Sequence, residues 1–115
     1  MNQLEVIKSL LKNELLMEES EVEVFLALVK IEKSTSKEIE NFTNKSKDEI
    51  IEIAKRLESK GMVIEVNRNE FRALHPRFAV VNRYRKLCAS KNIEFKKNLK
   101  IDQLAVIIEK YQNSV

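Results

Sequence analysis

The side chains in this chain that could carry reaction chemistry are few. His75 and Cys88 are its only histidine and only cysteine. They are too few to complete a metal shell with carboxylates scattered among lysines, and neither sits in a recognisable ligand spacing. A loop that cradles phosphates needs several glycines at fixed offsets, and Gly61 is the only one. Cys88, among Val81, Tyr84 and Leu87, reads as a small buried hydrophobe, and His75 as a residue closing a hairpin. No catalytic residue, metal or cofactor is expected, so the chain is read as a non-enzyme.

The chemistry that remains is electrostatic. The net charge is only +3, but it is unevenly spread. Residues 1–33 carry four lysines against seven glutamates, residues 34–76 balance at eight of each sign, and residues 77–115 hold nine basic groups against three acidic ones. Between Arg77 and Lys100 only Glu94 is acidic, and the group Arg77, Arg83, Arg85 and Lys86 is a candidate for phosphates or an acidic protein surface. A solvated helix face is the alternative.

These groups must be positioned by helices. One glycine and one proline in 115 residues leave too little turn material for an all-β fold, and the length suits one domain with one core. No apolar run is long enough to span a membrane. Glu5, Lys8 and Lys12 interrupt the N-terminal apolar positions, so neither a leader nor a membrane partner is expected. A lone cysteine agrees with a reducing compartment, and the cytoplasm is the expected location.

Along the chain, Leu4, Ile7, Leu11 and Leu15, with Val6 and Leu10, form a helix whose apolar arc is wide enough to touch two surfaces. Glu18 to Glu23 suit the start of a second helix buried through Val22, Phe25, Leu26, Leu28 and Val29. Thr35 and Glu38 have capping-box spacing before a short helix burying Ile39 and Phe42, and Ser46 and Glu49 repeat it before the stripe Ile50, Ile53, Ala54 and Leu57. Gly61 ends that helix as a left-handed cap. Met62 to Val66 and Phe71 to Leu74 read as a hairpin around Asn67 to Glu70. Pro76 opens a helical segment to the end, where two apolar faces (Val80, Val81, Tyr84, Leu87 and Cys88, then Leu104, Ile107, Ile108 and Tyr111) predict a bend between about residues 91 and 101.

The expected fold is mostly α with a small β-hairpin: a winged helix-turn-helix (residues 1–76) with an N-terminal helix, followed by a long or broken C-terminal helical segment (residues 77–115). Four segments extend the pattern: Glu21 to Leu28, Thr35 to Ile39, Arg56 to Val63 and Arg72 to Pro76. In order and spacing they resemble the N-terminal domain of the TrmB-like archaeal transcriptional regulators, over roughly residues 15 to 80.

The resemblance implies double-stranded DNA as partner, with the helix from Ser46 to Lys60 in the major groove, the hairpin as wing and the following helix in dimerisation. Larger members carry a C-terminal effector domain that this chain is too short to hold, so sugar sensing is not expected. With the apolar stripe turned inward, Asp48, Glu52, Lys55 and Ser59 face outward and Ile51 lies on the flank, within reach of a thymine methyl. Lys45 and Lys47 are placed to meet phosphates, Arg68 to reach out from the hairpin tip with Arg72 in support, and Arg77 to join them. Glu65 and Glu70 offset the hairpin's charge. The balanced groove helix also permits a protein-docking module as a rival, and an i, i+4 pair of Glu52 with Arg56 as a merely solvated face.

A homodimer is expected, because Leu4, Ile7 and Leu11 together with Leu104, Ile107, Ile108 and Tyr111 exceed what one small core needs. A symmetric dimer reading a palindrome would hold its groove helices about 34 Å apart, one DNA turn.

Overall fold

In the computed structural model, which describes residues 2–31 and 36–114, Asn2 caps the first helix by accepting the Glu5 amide at 2.8 Å. This helix, α1 (Gln3–Glu14), ends in a reversal through Leu16, whose φ is 51°. Glu18 then starts α2 (Glu19–Lys30), its own amide donating to the Glu21 carboxylate at 2.9 Å. From Val22 to Val29 every α2 residue except Glu23 is buried, so this is the central helix, covered nearly all round.

The expected pair Thr35 and Glu38 lies partly outside the described residues, which do not include Thr35. The third helix, α3 (Ser36–Thr43), buries Ile39. Phe42 was expected in the core and is instead 52% exposed. The space behind α3 is filled by Ile39 and α2, and Phe42, one turn on, lies on the rim of a cavity shared with Leu4 and Leu26. Asn44 makes the helix-turn-helix turn in the left-handed region, at φ 57°. Ser46 accepts the Glu49 amide at 3.2 Å and opens α4 (Lys47–Ser59).

The end of α4 is a double-bonded cap. The Met62 amide donates to the Leu57 carbonyl at 3.1 Å and the Gly61 amide to that of Glu58 at 3.0 Å, the pattern that requires Gly61 at φ 81°. The hairpin follows: β1 (Val63–Asn67) pairs antiparallel with β2 (Glu70–Ala73), Ile64 opposite Arg72 and Glu65 opposite Phe71, with a register shift beyond Glu65. Phe71 points inward and Arg72 outward.

Pro76 occupies the first turn of α5 (Pro76–Ser90), capped by His75. The bend expected between residues 91 and 101 is a full break over 91–98, made by asparagines rather than glycine: Asn92 adopts φ 55° and Asn98 caps α6 (Leu99–Asn113). Six helices and one hairpin among the described residues thus form a winged helix-turn-helix.

The last helix folds back on α5, α1 and α2. Its buried residues Ile101, Leu104, Ala105 and Ile108 join one continuous core with Ile7 and Leu11 of α1. This corrects part of the expected dimer surface. Ile7, Leu11, Leu104 and Ile108 are each 0% exposed, because the two apolar stripes meet within one chain. Leu4, Ile107 and Tyr111 stay half-buried at the edge of that contact.

Candidate nucleic-acid interface

The outward face of α4 is held by charges behind it. Glu21 of α2 is buried, and Lys60, just past α4, donates to both its carboxylate oxygens at 2.6 and 2.7 Å. Arg56 Nε lies 3.5 Å from the same carboxylate, and its guanidinium also reaches Glu18 and Glu52 at 3.7 and 3.6 Å. Burial opposes ionisation of Glu21, but the bonds from Lys60 and the Glu18 amide and the charges of Lys60 and Arg56 outweigh it, holding the carboxyl below its ordinary range. Arg83 of α5 faces the same acid. Burial pulls its guanidinium down and Glu21 opposes that, while its Nε donates to the Leu15 carbonyl at 3.0 Å. The rear of α4 is therefore fixed to the start of α2 through Glu21.

On the front, Lys47, Asp48, Glu52, Lys55 and Ser59 are exposed. Ile51 is only half-exposed and lines a cleft between α4 and the hairpin residues Asn69, Glu70 and Phe71. The hairpin tip therefore lies beside the Ile51 flank, and the groove helix and wing form one surface. The wing is rigidly made. Glu65 accepts the Asn69 amide at 2.7 Å, Glu58 accepts the Glu65 amide at 3.0 Å, and Asn67 donates to Glu70 at 3.2 Å. The acids that offset the hairpin's charge also brace its backbone, and Arg68 and Arg72 project from it exposed.

Among the described residues no acid pairs with Lys47, Lys55, Arg68 or Arg72. Most of the other expected cations are engaged. Lys45 is tied to Glu23 of α2 at 3.2 Å and is largely covered. Arg77 reaches Glu109 of α6 at 3.5 Å, beside His75, whose Nε2 lies 2.8 Å from the same carboxylate. Arg83 is bound as described, Arg85 lies 5.1 Å over the Phe95 ring, and Lys86 is exposed.

Reading the sequence alone missed Glu21. Its signal was present: Phe25 and Leu28 follow it at i+4 and i+7 on the buried face. Its partners, far along the chain, were not legible.

Four cations without acidic partners among the described residues thus lie on a surface made by α4 and the adjoining hairpin of a winged helix-turn-helix. The family model described as sugar-specific transcriptional regulator TrmB matches residues 11–85, and the chain belongs to that family. Neither the curated proteins nor the solved structures give a match. The matched region runs from α1 into α5 and contains the whole helix-turn-helix and wing. The family is one of transcription regulators with a DNA-binding domain. No helix among the described residues is long and apolar enough to cross a membrane.

Proposed function

We propose that the chain binds double-stranded DNA through α4 and the hairpin to regulate transcription, acting as a homodimer. The observation that carries the reading is the set Lys47, Lys55, Arg68 and Arg72, exposed and without acidic partners among the described residues, on α4 and the hairpin beside it. Lys47 and Arg68 hold phosphates at the two ends of the contact, and Lys55 and Arg72 add to them. Asp48 repels phosphates and accepts a hydrogen bond from cytosine, so it lowers nonspecific affinity while selecting bases, and Glu52 does the same only if it leaves Arg56, 3.6 Å away. Ile51 supports the wing more than it reads a thymine, because half of it is spent in the cleft. Lys45 and Arg77 contribute only if they leave Glu23 and Glu109.

The dimer surface that fits is the outer face of α6. Leu99 and Val106, 70% and 40% exposed, flank Gln103 at i+4 and i+7 spacing, with Ile107 at its edge. Anisotropy titration of a labelled random duplex at several salt concentrations tests the reading: affinity that rises steeply as salt falls supports it, and no binding at low salt contradicts it.

A further inference from the structure

A cavity of about 290 Å³ lies between α1, α2, α3 and the end of α6, close to the lower bound of roughly 300 Å³ for small-molecule sites. It opens to solvent on one side; Leu4, Leu26 and Phe42 supply apolar walls and Lys8, Glu23 and Thr43 polar ones, with Tyr111 beside them. We propose that this cavity binds a small amphipathic carboxylate, with its hydrocarbon body against Phe42 and Leu26 and its carboxylate at Lys8.

Two independent observations point to that class. The first is charge: Glu23 is neutralised by Lys45 at 3.2 Å, whereas Lys8 has no acidic partner among the described residues. The uncompensated charge on the wall is a single cation, which selects one anionic group. The second is Phe42, a large aromatic side chain left 52% exposed at the cavity, where a hydrocarbon body would cover it. Lys30, 4.9 Å from the Tyr111 ring centre and bonded to the Tyr111 carbonyl at 3.0 Å, holds that ring in place.

The cavity also abuts the helix-turn-helix turn. Phe42 and Thr43 directly precede Asn44, and Glu23 anchors Lys45. Occupancy would therefore bear on the start of α4. That consequence for DNA rests on the proposed function, whereas binding of the ligand does not, and the test is made without DNA.

The experiment titrates the full ¹⁵N-labelled chain with phenylacetate and, separately, with its neutral analogue phenylacetamide, following amide shifts. The proposal expects saturable shifts around Lys8, Leu26 and Thr43, with phenylacetate bound about fivefold more tightly than the amide, the upper end for an exposed charge pair. Lys8→Gln should abolish that preference, and Phe42→Ala should weaken both ligands; both side chains are exposed, so the fold tolerates the changes. Equal affinity for acid and amide, shifts centred elsewhere, or no saturation in the millimolar range would overturn it.

Discussion

Lys60 Nζ donates to both carboxylate oxygens of Glu21, at 2.6 and 2.7 Å, clamping the end of α4 to the first turn of α2. Glu21→Leu would leave Lys60 and Arg56 facing a hydrocarbon. The expected loss is on the order of 3 kcal/mol, the low end for breaking a buried pair because both cations keep some contact with water. The urea midpoint measures it, and adding Lys60→Met should recover much of the loss. The pH dependence follows from the depressed carboxyl. Its folded value lies below the ordinary 4.5, so its contribution is complete above 4.5 and is lost as pH falls through the lower folded value. The stability gap between the native chain and Glu21→Leu should be full at neutral pH and narrow only below that ordinary value. A gap already closing at pH 6 would contradict the assignment.

Gly61 is the second fixed point of α4. Its φ is 81°, and a Cβ there would stand 2.9 Å from Asn82 Cβ, while Asn82 Nδ2 donates to the Gly61 carbonyl at 2.9 Å. Gly61→Ala should cost at least about 1–2 kcal/mol from the left-handed backbone alone, with the collision added. Thermal melting should show a fall of several degrees. An unchanged Tm would mean that the cap is not formed as described.

Glu23 holds Lys45 away from solvent. Glu23→Gln should release that lysine for a phosphate, steepening the dependence of log affinity on log salt by about 0.9 and tightening binding to all duplexes alike. Anisotropy titrations of the variant measure both quantities. An unchanged slope would show that Lys45 cannot reach DNA even when freed.

What the sequence made legible was set by rules that act over a few residues. The cap at Ser46, the stop at Gly61, the start at Pro76 and the stripe from Ile50 to Leu57 each follow from local backbone or packing periodicity, and each is found in place. Less legible was what covers an apolar face. The stripes of α1 and α6 read as surplus because nothing local says that Ile7 and Leu11 meet Leu104 and Ile108 in the same chain. Nor does charge counting say which cations already have partners. Lys45, Arg77 and Arg83 read as candidate phosphate contacts, and Glu23, Glu109 and the Leu15 carbonyl engage them through contacts between distant segments.

Leu99 and Val106 provide a direct test of the dimer. Light scattering should give twice the chain mass for the native protein and a single chain mass for Leu99→Glu with Val106→Glu. Both side chains are exposed, so the variant should keep its helical circular dichroism. A native monomer at high concentration, or a variant that stays dimeric, would remove α6 from the interface.

The central claim is that DNA is held by the free cations of α4 and the wing rather than by the basic length of α5. It is tested most directly by comparing the salt dependence of duplex binding for Lys47→Gln/Lys55→Gln/Arg68→Gln with that for Arg85→Gln/Lys86→Gln. The account predicts that the first variant lowers the slope by about 2.7, roughly 0.9 for each phosphate no longer neutralised, and weakens all sequences alike, while the second leaves the slope near the native value. A native slope in the first variant, with the weakening confined to the second, would contradict it.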